Sequence, residues 1–582
     1  MAALSLASLS FAQEFDFGGG DDFGSGDDFS GGFEESSTPA VTISGEVGAD
    51  ARAWIGNKNE DTGLYDTKGY DGFYDLSKTN MDADAHANLE LNYAGDYTDA
   101  NLKLKLDSAT LKDHPEDVID ELFANGSFKE GKFQLKVGKM KEVWGKGDKV
   151  HVLDNFNAND YTDFIFPDYI DRRIGEVMFK TTANISWDYN IKLEGIYTPW
   201  MTADRFAESG MLVPYSMTKL TNTVKGILKH NYGKDATDSI TAQNGSAMVE
   251  GVMKLSDFST ASLYEDNIRT LKYGQGGIRL TGTLGGIDWG ASYYYGHYKQ
   301  PSANLGKTIV SLTNAVNTDL DPALAGTGTS EYATYLGTKY ASEIAATAAA
   351  LLEARQATDA TTAQELATKA VLGKYAASDA LEYALSGGFA QSELELPSLN
   401  YDQLQVFGLE AAFVLWKLNT RWEFAYNLTE DIAGDDPWVK NNSISWVAGF
   451  DIDLPIHNLN LNVQENGSFI LHKDKIEDGP YATYDTDYKV NGKYTSNKII
   501  ALISDKWLNE KLTTEVQGIY TIETKEFMVA PKVEYNVSEG LTLTARGVYL
   551  YSNNEDGEFY NFTKDSENHD KAFLQLSAKY QF

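Results

Sequence analysis

Residues 572–582 read Ala-Phe-Leu-Gln-Leu-Ser-Ala-Lys-Tyr-Gln-Phe. Leu574, Leu576, Ala578, Tyr580 and Phe582 share one parity; Gln575, Ser577 and Lys579 share the other. Successive side chains of a β-strand point to opposite faces, so this stretch is a strand with one apolar and one polar side. The same period recurs upstream. Leu102, Leu104 and Leu106 alternate with Lys103 and Lys105, and Phe133, Leu135 and Val137 alternate with Gln134 and Lys136. Leu418, Trp422, Phe424 and Tyr426 alternate with Asn419, Arg421 and Glu423.

Carried along the chain, the pattern predicts strands near 41–55, 86–96, 98–108, 119–129, 131–141, 172–184, 187–198, 274–284 and 286–298. It predicts further strands near 402–414, 417–427, 442–453, 458–471, 496–506, 511–522, 526–536, 540–551 and 572–582. A soluble sandwich would show the same alternation, so the connections must decide. Short, turn-forming ones, such as Gly95-Asp96, Gly285-Gly286 and Ser538-Glu539-Gly540, are expected to alternate strictly with long ones, such as 142–171, 199–273 and 299–401. Short turns at one end and long loops at the other are the asymmetry of outer-membrane barrels. The fold class is therefore all-β: a transmembrane antiparallel up-and-down β-barrel of about 18 strands.

Composition agrees. Tyr is abundant at 34 and Pro scarce at 12, as suits ladder strands that need their N–H groups. Mean hydropathy is −0.37 with no long apolar run, which excludes helical spans but not β-spans. There is no cysteine, so backbone pairing rather than disulfides must hold the fold. A net charge of −36 speaks against nucleic-acid binding and implies acidic outer loops.

The terminal Tyr580-Gln581-Phe582 resembles the C-terminal signature of bacterial outer-membrane barrel proteins, an alternating apolar strand ending in aromatic-x-Phe. That resemblance implies an assembly signal at Leu576, Ala578, Tyr580 and Phe582, read by the barrel-assembly machinery, and a place in the outer membrane of a diderm bacterium. A second, more local resemblance covers under a tenth of the chain. Trp144-Gly145-Lys146-Gly147-Asp148 at a strand exit, followed by Asp154-Asn155-Phe156-Asn157, looks like a segment of several large porin-like outer-membrane families. It implies no substrate or catalytic residue. Trp144 itself reads as an interface residue, as do Trp54, Trp200, Tyr293, Tyr295, Trp422, Tyr549 and Tyr551 near strand ends.

Three segments depart from the barrel pattern. Residues 1–12 read as a signal peptide ending at Ser10-Phe11-Ala12, and 13–40 as a disordered Gly/Asp/Phe-rich periplasmic tail, leaving 41–582 as the barrel. Residues 330–386 switch to helical spacing and predict a helical hairpin inside the longest outer loop, with Asp359 starting the second helix and Leu366, Ala370, Leu381 and Leu385 along it.

Chemistry-bearing motifs are missing from the sequence: it has no phosphate loop, dinucleotide fingerprint or zinc-protease pattern. His297 near Ser292 is the one arguable catalytic pair and lacks a third member. No enzyme, cofactor or metal is expected. If apolar faces meet lipid, the lumen wall carries Arg52, Lys103, Lys105, Lys136, Lys192, Arg279, Arg421, Arg546 and Lys579, with Glu46, Asp50, Glu194, Glu423 and Glu515 on the same side. The expected function is a porin or substrate-selective diffusion channel for small hydrophilic solutes, anions among them. One long loop would fold inward as a constriction, either 142–171 or 199–273 with Arg205 and Arg269. The alternatives are a surface adhesin whose loops and helical insert bind a partner, and a carrier for hydrophobic compounds. Lipid, the assembly machinery and further copies of the chain complete the expected partners.

Overall fold

A computed structural model describes residues 41–55, 81–207, 267–304, 330–376, 398–479, 493–563 and 571–582, with a few short stretches between them. The signal peptide and tail, residues 1–40, lie outside the described residues. Eighteen strands form one sheet. They are β1 (Val41–Ile55), β2 (Met81–Ala94), β3 (Thr98–Leu106), β4 (Ile119–Phe128), β5 (Phe133–Met140) and β6 (Glu176–Ser186). Next come β7 (Ile191–Thr198), β8 (Gln275–Leu284), β9 (Ile287–His297), β10 (Gln403–Leu415), β11 (Leu418–Thr429) and β12 (Ser443–Asp453). The last are β13 (Asn460–Ile470), β14 (Thr495–Trp507), β15 (Leu512–Thr521), β16 (Glu526–Ser538), β17 (Leu541–Tyr551) and β18 (Ala572–Gln581).

Each strand pairs antiparallel with the next, and β1 pairs antiparallel with β18, from Glu46↔Gln581 to Ile55↔Ala572. The last residue completes the seam: Gly45 N–H donates to Phe582 O at 3.0 Å, and Phe582 N–H returns to Gly45 O at 2.9 Å. Closure leaves no open sheet edge, the condition for a sheet to span a membrane. The hairpin turns are set by residues that accept positive φ, as at Gly285 (+62°) and Gly286 (+82°).

The outer face is apolar. Val47, Leu135, Phe179, Ile278, Leu409, Phe424, Ile503, Val516 and Leu574 all stand exposed on it. Near the short turns it carries Tyr97, Phe128, Trp187, Tyr189, Trp507 and Tyr580, with Trp416 89% exposed. Such a belt, flanked by aromatics, belongs against hydrocarbon and headgroups. The chain is a transmembrane β-barrel of the outer-membrane kind.

Several expectations need correction. Trp54 is not an interface residue: it shares the parity of Arg52, points inward and is 1% exposed among Phe166, Phe562 and Phe573. Trp200 lies past the end of β7, half-buried in the connection. Long and short connections do not alternate strictly, because β15 and β16 are joined on the outer side by residues 522–525 alone. Among the described residues the insert contains three helices, α1 (Glu331–Lys339), α2 (Ala341–Glu353) and α3 (Ala360–Tyr375), rather than a two-helix hairpin. Asp359 does cap α3, accepting from Thr362 N–H at 2.9 Å, but the buried face of α3 is Ala363, Ala367 and Val371, and Leu366 is exposed. Alanines at that spacing let α3 approach α2 closely, and leucine would hold it away. Leu381 and Leu385 lie outside the described residues.

The lumen divides into two halves. Near the short turns, the inward side chains Glu46, Asn92, Asn101, Glu534 and Lys579 are partly exposed. Near the outer ends, Trp54, Tyr294, Thr429, Lys498 and Glu526 are buried. The first half is open, and protein fills the second.

Candidate functional site

The protein in the outer half is chiefly the connection between β5 and β6, residues 141–175. Its apolar residues Trp144, Val150, Leu153, Phe156, Phe164, Ile165 and Phe166 are buried and form one cluster with the inward residues Val447, Ile500, Ile519, Met528, Val548 and Phe573. Trp144 packs edge-on to Phe156 at 5.0 Å, and Phe156 edge-on to Tyr294 of β9 at 5.1 Å. Trp144 is thus a lumenal core residue, 1% exposed, and the interface reading of it is overturned. Burying a phenylalanine contributes about 1.5–3 kcal/mol, so the three in this segment can offset much of the entropy of fixing it.

The segment crosses from wall to wall. On one side, Arg52 of β1 holds Asp163 through two hydrogen bonds, 2.6 and 2.7 Å, and Arg546 of β17 donates to Phe166 O at 2.8 Å. On the opposite wall, Glu423 of β11 accepts from Val152 N–H at 2.7 Å, lies 3.0 Å from His151 Nδ1 and also accepts from Gly147 N–H. Beside it, Gln464 of β13 accepts from Lys149 N–H at 3.1 Å, and Asn462 donates to Asp148. A barrel of this strand number is roughly 35 Å across, which the twelve residues from Val152 to Asp163 can span only when nearly extended, or with the wall side chains reaching in.

Two residues latch the segment's ends together. Asn157 Nδ2 donates to Met140 O at 3.0 Å and Ile174 O at 2.8 Å, while its Oδ1 accepts from Glu142 N–H at 3.0 Å. Arg173 pairs with Asp154 at 2.8 Å, both side chains fully buried, and donates to Glu142 O. Glu142 is held in turn by Lys136 at 3.1 Å and Lys180 at 2.8 Å, whose charges keep its carboxyl below the usual range despite burial.

The two glycines after Trp144 have a physical reason. A Cβ on Gly145, at φ +121°, would meet Glu423 Oε1 at 2.2 Å; one on Gly147 would meet Val150 O at 2.0 Å. Only glycine lets this backbone wrap the wall glutamate.

The inward cations face the lumen in networks of opposite charge. Lys103 meets Asp120 at 3.5 Å, Lys105 meets Asp107 at 3.6 Å, and Lys579 meets Glu46 at 3.5 Å. Arg279 lies between Glu410 at 2.6 Å and Glu194 at 3.4 Å, with Trp144 over its guanidinium; Arg421 meets Asp451 at 2.8 Å and Asp148 at 3.6 Å. Lys192 is half-buried on the same face. Of the other proposed constriction residues, Arg205 is tied to Asp117, and Arg269 is exposed; most of the loop between them lies outside the described residues. Leu576, Ala578 and Tyr580 face outward on β18. His297 and Ser292 are five residues apart on β9, about 17 Å, and make no catalytic pair. Below the segment, a polar recess of about 230 Å³ opens between Asn125, Gln134, Lys136, Lys180 and Thr182. Sequence reading named Glu423 as a lumenal acid but missed Asp163, Asn157 and Arg173; the paired glycines of the Trp-Gly-Lys-Gly stretch were the available signal.

No protein-family model matches the chain, and no curated protein matches it. Among solved structures it is similar to Pseudomonas aeruginosa OccK5 (OpdH), at 10% identity and a TM-score of 0.37, covering 93% of this chain and 98% of that one. It is also similar to Acinetobacter baumannii OccAB3, at 10% identity and a TM-score of 0.37, covering 93% and 99%. A BenF-like porin from Pseudomonas fluorescens Pf-5 matches at 8% identity and a TM-score of 0.38, covering 93% and 98%. At such scores these likenesses add nothing to the closed barrel that the strand register already establishes.

Proposed function

We propose that the barrel is an outer-membrane porin, a diffusion channel for small hydrophilic solutes, with residues 141–175 as its constriction. The observation that supports this reading is the segment held on opposite walls by Arg52–Asp163 and Glu423–Val152, above an open, polar vestibule. A segment fixed at both walls narrows a lumen without depending on the outer loops, and a wall of paired charges keeps the vestibule hydrated. A preference for anionic solutes rests on Lys103, Lys192 and Lys579, which stay partly exposed to that vestibule. Under this reading the chain's partners are outer-membrane lipid, the barrel-assembly machinery, the permeating solutes and further copies of itself. The experiment is planar-bilayer recording with refolded full-length protein whose heat-dependent gel shift shows a folded barrel. Discrete conductance steps are expected; a folded barrel that never conducts would refute the channel.

A second reading, a surface interaction protein, has one observation in its favour. Tyr332, Leu336 and Leu372 of the helical insert belong to the same apolar cluster as the crossing segment, so the insert is built into the outer end of the barrel. Deleting 330–386 should abolish attachment under that reading and leave conductance steps in place under the first.

A further inference from the structure

Beyond the crossing segment, at the outer ends of β9 to β12, lies a cavity of about 90 Å³. Asn155, Asn157, Asn159 and Asp204 line one side, and His297, Tyr298, Lys299 and Gln300 the other; Val152 and Leu404 supply apolar wall. Seven buried side-chain atoms of this lining find no hydrogen-bond partner: Asn155 Nδ2, Asn159 Oδ1, Asp204 Oδ2, His297 Nδ1, the Tyr298 hydroxyl, and Gln300 Oε1 and Nε2. Asn159, His297 and Gln300 are 5%, 9% and 4% exposed. Buried polar atoms in folded proteins are normally met by protein, water or ligand, so a group of them around one cavity points to an occupant.

Charged groups of both signs surround the cavity, Lys299 and Lys440 against Asp204, Glu176, Asp402 and Asp487. Lys299 pairs with Glu176 at 3.3 Å and donates to Gln275 at 2.8 Å; Asp154 pairs with Arg173; Lys440 sits over the Tyr298 ring at 4.4 Å, with Asp402 accepting its backbone N–H. The unmet atoms include both donors and acceptors, which suits groups that are both, namely hydroxyls and amides. The volume equals about three waters, or a molecule of roughly six non-hydrogen atoms.

We infer that this cavity is a binding site for small neutral polyols or amides, taken up at the outer side of the constriction. The inference rests on the channel reading of the same lumen and adds a neutral class to the hydrophilic solutes that it passes. Val152 and Leu404 cover the carbon skeleton while Asn155, Asn159, His297 and Gln300 meet its polar groups.

The test uses glycerol as probe, observed by saturation-transfer NMR on the detergent-refolded full chain, with Gln300→Leu and Asn159→Leu as variants checked for the heat-dependent gel shift. Expected is a glycerol signal from the unaltered protein that falls at least threefold in either folded variant, and no signal from sucrose, which exceeds the cavity. A glycerol signal absent from the unaltered protein, or undiminished in the folded variants, overturns the site. Conductance from the same preparation separates the two readings. Steps without a glycerol signal remove the site and keep the channel; a variant-sensitive signal without steps keeps the site and removes the channel.

Discussion

The carboxylate of Glu423 accepts the backbone N–H of Val152 at 2.7 Å, inside the barrel and out of reach of water. Arg52 holds Asp163 from the opposite wall. Between these two contacts the lumen is occupied by the chain's own backbone.

Replacing Gly145 by Ala drives a Cβ into Glu423 at a φ that L-residues rarely adopt. The expected result is a loss of at least ~1–2 kcal/mol in holding the segment, with larger and noisier conductance steps than the unaltered barrel shows. An unchanged step size would mean that the Glu423 clamp does not set the bore.

Arg52→Ala leaves Asp163 without its cation, and removing one partner of a buried pair costs about 3–5 kcal/mol. The barrel itself should still close, because the β1–β18 seam is backbone-paired. Amide hydrogen exchange across 160–168 should therefore accelerate strongly while β1 and β18 stay protected; equal acceleration in all three would place the effect in the barrel instead.

Neutralising Arg279 to Gln leaves Glu410 and Glu194 facing the lumen, and Arg421→Gln leaves Asp451 and Asp148. Both should move the reversal potential in a salt gradient toward cation selectivity. The shift should be larger for Arg421, which is the more exposed of the two. A shift toward anions would contradict this placement of charge.

The outer loops should loosen as pH rises. Burial pushes the Asp402 carboxyl up to about 7, and burial with the neighbouring Asp487, Asp431 and Asp436 pushes Asp485 up to about 8. With folded-state values above the unfolded one of 3.8, the folded loops hold protons that the unfolded chain has released. That contribution to stability is complete below pH 3.8 and is lost as pH climbs through 7 and 8. Exchange protection at 431–442 and 485–488, corrected for intrinsic rate, should be lower at pH 8.5 than at pH 5.5; protection that rises with pH would refute the assignment.

Removing Phe582 takes away both backbone bonds to Gly45 and the ring that lies against it. The yield of heat-modifiable barrel in cells should drop several-fold, more than for Phe128→Ala, another exposed aromatic near the same membrane interface. Equal yields would argue against an assembly signal at the C-terminus.

The sequence by itself determined the barrel. A two-residue period such as Leu574-Gln575-Leu576-Ser577 states which side chains face lipid, and turn residues such as Gly285-Gly286 state where each strand reverses; both are local, so strand count and facing could be read without the fold. Trp54 was legible too, had its parity with Arg52 been followed instead of its nearness to a strand end. Only the tertiary structure decided what fills the lumen. Asp163 meets Arg52 111 residues away, and Val152 meets Glu423 271 residues away, across a space that exists only once β1 has paired with β18. Contacts made across a closed ring leave no periodic trace in the chain, and beside Glu423 the trace they did leave was a pair of glycines.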